Sequence, residues 1–250
     1  MNGAARLSTL AVLALVLIGS ALDRAGWLPT EASLMIQRVY SELFGPPLPP
    51  VAGAERVDFA AVDAALARIK VARERDANYN RSEWPHWQDV EGCLNVREAV
   101  LIRDSAELTR RSRDRCRIIA GKWPDPYSGK VLTDPEDIDV DHVVPLEEAH
   151  QSGGYAWDRD RRAAYANDLS DWRTLRAVSA EQNRSKGAKG PEEWLPDNPA
   201  HRCPYVADWV LIKARWGLTM DESERVAVGN ILEACRRTLP GQAPERRPLS

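Results

Sequence analysis

The longest apolar run is Leu7 to Leu22, which carries no charge and is ended by Asp23. Its sixteen residues fall short of the roughly twenty that a membrane span needs, but suit the core of an export signal. Residues 1–22 are therefore expected to direct export, to the periplasm or the exterior, with an uncleaved membrane tether as the competing reading. From Ala32 to Phe44, Leu34, Met35, Val39 and Leu43 recur at helical spacing before Gly45 and the proline-rich run Pro46–Pro50. This predicts an amphipathic stalk and stiff spacer over 23–56. Asp58 can cap a helix reading DFAAVDAALARIKVARE, with Phe59, Val62, Leu66 and Ile69 facing inward. A polar stretch holding Tyr79 and Arg81 leads to WPHWQD, Cys93 and a helix from about Val96 to Ser105. Helices near Tyr205–Trp216 and Ser223–Arg237 close a domain over 57–238, and the Pro- and Arg-rich residues 239–250 form a frayed tail.

One segment breaks the helical pattern. Ile138 to Val144 reads IDVDHVV, alternating and β-branched, and Pro145 stops it. A strand, a tight turn and a return strand fit better than a helix. That puts Asp141 and His142 side by side at the end of a hairpin, pointing in opposite directions. Forty residues on, in LRAVSAEQNRSKG, Val178 ends a strand-like stretch, Ser179 can cap a short helix, and Asn183 falls in its first turns. The expected class is α+β, a small strand-bearing centre in a mostly helical domain.

Composition narrows the partners. The 34 Lys and Arg against 37 Asp and Glu give a net charge of −3, so nucleic acid cannot be held by bulk charge. Locally the balance differs, with eight basic residues to four acidic between Arg97 and Lys122, and five to one between Arg173 and Lys189. Charged runs of this kind also serve simply to solvate a surface. Nine Trp against two Phe suggests aromatics in half-wet places where the indole N–H finds a partner. The four cysteines, Cys93, Cys116, Cys203 and Cys235, contain no C-x-x-C, which disfavours a zinc ribbon. In an exported chain they read as two disulfides. Three pairings are open; the sequential one, Cys93–Cys116 and Cys203–Cys235, is expected because each pair brackets a helix.

DHVVPL followed by NRSKG resembles the ββα-metal, or HNH, nuclease motif. The longer string DIDVDHVVPLEEA, YANDL and LRAVSAEQNRSKG is similar to the HNH domain at the C-terminus of GmrSD-type restriction enzymes, and to small exported bacterial proteins carrying it. Pro85, His86, Trp87, Cys93, Arg97, Leu101 and Arg103 match an upstream block. Trp123 to Lys130 and Cys203 to Leu218 match two others. The resemblance implies a ββα-metal core and metal-dependent hydrolysis of nucleic acid, DNA ahead of RNA. It implies His142 as general base and Asp141 and Asn183 as ligands of Mg²⁺ or a similar cation such as Mn²⁺. The middle Asn of the motif falls near Thr174, with Asn167 as a substitute amide.

These residue types suit the chemistry. A hard cation needs few carboxylates and tolerates a neutral oxygen, and an imidazole can take a proton from attacking water. Lys186 or Arg184 would stabilise transition-state charge or grip a neighbouring phosphate. Arg97 is balanced between a phosphate contact and a structural ion pair. His86 and Trp87 are expected to brace the upstream helix, Glu148 to lie on a solvated helix face, and His150 and His201 on the surface. His142 and His150 do not form H-E-x-x-H, which disfavours a zinc peptidase. Two alternatives stand beside the nuclease: an eroded, non-catalytic HNH-fold binding or cell-surface protein, and a metal phosphodiesterase of small substrates.

Overall fold

The computed structural model describes residues 56–238 except 76, 77, 108 and 115. The export segment, all but the last residue of the stalk and the tail lie outside the described residues. Helix α1 (Phe59–Arg68) begins as expected, with the Asp58 carboxylate accepting the Ala61 N–H at 3.0 Å. It buries Phe59, Val62 and Ala65, and Ile69 just beyond its end. The helix stops earlier than its periodicity suggests because residues 70–72 pair with Met220. The Met220 N–H donates to the Lys70 carbonyl at 3.1 Å, and the Ala72 N–H to the Met220 carbonyl at 2.9 Å. Tertiary pairing outweighs a weak helical preference.

Strands β1 (Asp89–Glu91) and β2 (Leu94–Asn95) form a short antiparallel pair turning at Gly92, whose φ of +61° suits glycine. Helix α2 (Val96–Asp104) follows, capped by Asn95, and packs Val96, Val100 and Leu101 inward. Strands β3 (Arg110–Arg111) and β4 (Ile118–Ala120) make a second antiparallel hairpin, β5 (Trp123–Pro124) and β6 (Val131–Leu132) a third.

The central ribbon differs from the hairpin read in the sequence. β7 (Ile138–His142) pairs antiparallel with β8 (Leu175–Ser179), in register from Ile138↔Ser179 to His142↔Leu175. The return strand is therefore not Val143–Val144. Pro145 sends the chain into α3 (Leu146–Gln151) and then α4 (Arg159–Ala166) before β8 comes back. Helix α5 (Ala180–Lys186) leaves β8 directly, with Ser179 as its cap. Helices α6 (Pro199–Trp216) and α7 (Glu222–Thr238) close the fold. α6 starts earlier than expected and runs through Pro204, because Asn198 caps it and Pro199 occupies the first turn, where no N–H is needed. Among the described residues there are seven α-helices and four two-stranded antiparallel sheets, a mixed α+β fold.

One face of the β7–β8 ribbon, Ile138, Val140, Leu175 and Ala177, packs with α2 and β4 in a small apolar core. A larger core gathers α1, α3, α4, α6 and α7. Four tryptophans, Trp84, Trp123, Trp194 and Trp209, are buried rather than half-wet. The indole N–H of Trp123 donates to the Leu101 carbonyl at 2.7 Å and that of Trp209 to Glu224. The disulfides are Cys93–Cys116 and Cys203–Cys235, the sequential pairing. The second ties α6 to α7. Such bonds favour an oxidising, extracellular setting. Among the described residues no helix is long and apolar enough to cross a membrane.

Candidate active site

The end of β7 positions two side chains on opposite sides of the ribbon. His142 is buried, its Nε2 lying 2.9 Å from the Ala166 carbonyl at the end of α4. A carbonyl only accepts, so Nε2 carries the proton and Nδ1 keeps its lone pair, without a partner among the described residues. The ring is stacked between Trp87, at 5.6 Å and 30°, and Tyr165, at 6.3 Å and 17°. Burial pushes the His142 pKa down to about 3, so the imidazole is neutral near pH 7 with its lone pair available, while the same burial disfavours its protonated form.

Trp87 reaches this stack from a strained backbone, φ +57°, which for a bulky residue costs about 1–3 kcal/mol. Asn167 holds its loop. The Asn167 carbonyl oxygen accepts the Gln88 N–H at 2.9 Å, and its amide donates to the Pro85 carbonyl at 2.7 Å. His86 braces the same loop through the Trp84 carbonyl. The Thr174 hydroxyl donates to Asp168 at 3.0 Å, while its carbonyl accepts the Val143 N–H.

Asp141 points the other way and is equally buried. Its Oδ2 accepts the Tyr127 hydroxyl at 2.7 Å and its Oδ1 the Lys186 ammonium at 2.8 Å. Lys186 is fully enclosed and also donates to the His142 carbonyl at 3.0 Å. That corrects the expected role for Lys186: its donors serve Asp141 and the β7 backbone, and it cannot reach a phosphate without leaving them. Burial raises the Asp141 carboxyl and lowers the Lys186 ammonium, and each partner pulls the other back.

Both strand-end residues line a groove of about 440 Å³, with Tyr79, Arg81, Glu147, Asn183 and Arg184 on its other walls. The Asn183 amide donates to Asp139 Oδ2 at 3.1 Å, which turns its carbonyl oxygen the other way. The Arg184 side chain is 75% exposed, with its Nε 3.8 Å from Asp139.

Of the two readings of Arg97 the structure shows the structural one: its guanidinium donates to the Pro135 and Ile138 carbonyls at 3.1 and 3.2 Å and pairs with Glu98, fastening the start of β7, so its assignment to substrate is not supported. Other expectations are overturned. Glu148 is buried on Lys213 at 2.6 Å, not solvated. His150 and His201 are buried, not on the surface.

The sequence reading missed Tyr127, Asp139 and the groove residues Tyr79 and Arg81 as parts of this site. Tyr127 stands inside a matched block, and Asp139 shares a strand face with Asp141 at a spacing of two. The Ala166 carbonyl has no side-chain signature at all.

The donor set suits a hard divalent cation. Each Asp141 oxygen has one protein partner and a lone pair left over, and Asn183 offers a neutral oxygen with no partner among the described residues. Glu147 adds a carboxylate to the same groove.

The chain belongs to the family described as the C-terminal domain of GmrSD restriction endonucleases, which matches residues 96–229. That family is nuclease-related. A protein of Arthroderma benhamiae described as an uncharacterized secreted protein is 36% identical over 157 residues, 63% of this chain and 76% of the relative. No solved structure matches.

Proposed function

We propose that the protein is an exported endonuclease of the HNH type. In this reading β7, β8 and α5 form the ββα-metal core, and phosphodiester bonds of nucleic acid, DNA first, are hydrolysed in the groove. The observation that carries it is His142, with Nε2 locked on the Ala166 carbonyl and Nδ1 without a partner among the described residues, lining the same groove as Asp141 and Asn183. An imidazole fixed in one tautomer is prepared for a single job, taking a proton from the attacking water.

Asp141 and the Asn183 carbonyl would hold Mg²⁺ or Mn²⁺. When bound, such a cation neutralises a non-bridging phosphate oxygen and stabilises the leaving 3′-oxygen. Tyr127 and Lys186 fix the Asp141 carboxylate so that its free lone pairs keep one direction. His142 accepts the water proton at Nδ1, and the Ala166 carbonyl steadies the imidazolium that results. Trp87 and Tyr165 prevent the ring from rotating away. Arg184 and Arg81, on the groove wall, would hold the phosphates flanking the scissile bond.

A second reading, a nucleic-acid-binding protein without turnover, draws on Lys186, whose ammonium already neutralises Asp141. Supercoiled plasmid incubated with the protein in Mg²⁺, and separately in EDTA, decides between them. Nicking in Mg²⁺ that EDTA and His142→Ala both abolish is the expected result. Plasmid retarded on the gel but never cut would favour the second reading.

A further inference from the structure

The β3–β4 hairpin carries chemistry that the groove does not use. Residues 109–117 read TRRSRDRCR, five arginines and one aspartate in nine residues of a chain whose net charge is −3. Arg110, Arg111, Arg113 and Arg117 are all exposed, and none forms an ion pair with a described residue. Some arginines elsewhere have carboxylate partners, as Arg162 with Glu83 and Arg215 with Asp168, and others, such as Arg68 and Arg159, stand singly without one. What sets the hairpin apart is density: four exposed arginines without an ion pair to a described residue fall within eight positions.

The one acid of the hairpin, Asp114, offsets a single charge, chiefly that of Arg117, and its carboxylate also serves the loop. Asp114 Oδ1 accepts the Ser112 hydroxyl and the Cys116 N–H, the latter at 3.1 Å. The loop is also held firmly. Cys116 is bonded to Cys93 at the β1–β2 turn, Ser112 and Arg117 bond each other's ends of the loop, and the buried Ile118 N–H donates to Glu98 of α2. A hairpin tied at these residues loses less backbone freedom on binding, and planar guanidinium forks match phosphate oxygens two at a time.

The hairpin also connects to the groove. β4 packs against the turn Pro135–Asp137. Glu136 and Asp137 of that turn wall a second hollow of about 550 Å³, and Arg184 lines both this hollow and the His142 groove. Three acids, Glu136, Asp137 and Glu181, outnumber Lys130 and Arg184 in the hollow, which therefore does not favour phosphate.

We infer that the β3–β4 hairpin is a phosphate-binding exosite, which grips the backbone of a nucleic-acid strand at a place separate from the groove. The substrate class rests on the reading given under Proposed function; the surface itself rests on the arginines. Because phosphate contacts position a strand without reading its bases, the grip is indifferent to sequence.

The test is fluorescence anisotropy of a labelled duplex of about 30 base pairs in EDTA, where no cleavage is needed, titrated with salt. Three proteins are compared: the wild type, the triple variant Arg110→Gln, Arg111→Gln, Arg113→Gln, and a charge-matched control, Arg68→Gln, Lys70→Gln, Arg159→Gln. The hairpin triple should weaken binding at least about tenfold and lower the slope of log affinity against log salt by about two to three units, near 0.9 for each phosphate no longer neutralised. The control should match the wild type. Arg113→Glu alone, at the loop tip, should move affinity in the same direction, and melting curves verify that each variant is folded. Equal affinity and slope in wild type and hairpin triple would overturn the exosite and leave the proposed activity standing. Equal losses in both triples would reduce the effect to net charge and overturn it too. Tighter binding to heparin or to phosphatidylglycerol vesicles than to duplex would assign the surface to another polyanion and overturn the nucleic-acid partner. Weakened binding in the hairpin triple alone supports the exosite even if plasmid is never cut, in which case the proposed activity fails by itself.

Discussion

The Tyr127 hydroxyl donates to Asp141 Oδ2 at 2.7 Å, and both residues are buried. Tyr127 is itself held by Asp125, whose Oδ1 accepts the Tyr127 N–H at 3.0 Å and whose Oδ2 accepts the Ser128 N–H at 3.1 Å. The turn between β5 and β6 is thereby a clamp on the carboxylate at the end of β7. A donor to a charged acceptor contributes about 1.5–3 kcal/mol. Tyr127→Phe should therefore lower stability by that amount in urea unfolding. It should also raise the Mg²⁺ concentration needed for half-maximal nicking, which a merely structural loss would not do. An unchanged Mg²⁺ midpoint would remove Tyr127 from the positioning of Asp141.

His142→Ala should lower turnover by about 10² to 10⁴, the usual range for a lost general base. Because the ring fills a stack and bonds the Ala166 carbonyl, stability should fall as well, so the variant is assayed well below its melting temperature. Wild-type nicking rates in a folded His142→Ala protein would eliminate His142 as the base.

Lys186 is the enclosed partner of Asp141, and breaking a buried pair from one side costs about 3–5 kcal/mol. Lys186→Met preserves the stem and deletes the charge, leaving Asp141 with a carboxylate that burial already pushes toward protonation. The variant should lose stability on that scale and lose activity by deactivating Asp141. A loss below about 1 kcal/mol by urea unfolding would mean that the pair is not buried as described.

Each disulfide closes a loop of 23 or 32 residues, which in the chain-entropy model is worth about 3 kcal/mol. Reduction should therefore lower the melting temperature, and the oxidised protein should show no titratable thiol among Cys93, Cys116, Cys203 and Cys235. Two reactive thiols in the native protein would contradict one of the bonds, and four would contradict both.

Local features of the fold were legible where the chain declares them locally. The Asp58 cap, the helix from Val96, the two closing helices and the β character of IDVDHVV follow from periodicity and capping. The sequential disulfide pairing was expected on the right ground for Cys93–Cys116, which brackets α2, whereas Cys203 and Cys235 lie within α6 and α7 and join the two helices. Partners distant in sequence were not legible. IDVDHVV reads as a strand, but nothing in it says that its partner begins at Leu175 instead of Val143. Lys186 ends AEQNRSK, a polar helix that looks solvated, and is buried because Asp141, 45 residues earlier, needs a counter-charge. Glu148 and His150 lie on a six-residue helix too short to show which face is apolar, and the cation that lets Glu148 be buried is Lys213, 65 residues later. The site shares this division: His142, Asp141 and Asn183 were readable as a motif, whereas Tyr127 and the Ala166 carbonyl act through geometry.

Lys213 also carries the last prediction, which concerns pH. Its ammonium lies 2.6 Å from Glu148 and 2.6 Å from Glu224, and carboxylate oxygens of Glu74, Glu148 and Glu224 all lie within 4.8 Å of one another. One cation faces three carboxylates, with Asp221 adding to the negative potential at Glu74. Burial first, then its acidic neighbours, pushes Glu74 up to about 8, and burial pushes Glu224 up to about 7. Both groups thus hold protons in the folded state that the unfolded chain releases near the ordinary glutamate value of 4.5. Between about pH 4.5 and 8 the native protein binds more protons than the unfolded one, so stability falls as pH rises across that window. Below the window both states are protonated and the effect vanishes. Glu74 is only half-buried, which screens the interaction and makes the effect modest. Glu74→Gln removes the surplus charge while keeping the shape. It should raise the melting temperature at pH 8 by on the order of 2 °C, leave it unchanged at pH 4.5, and flatten the decline between. A variant that loses stability at pH 8 would show that the Glu74 carboxylate is a needed partner of Lys213 and not the surplus member of the cluster.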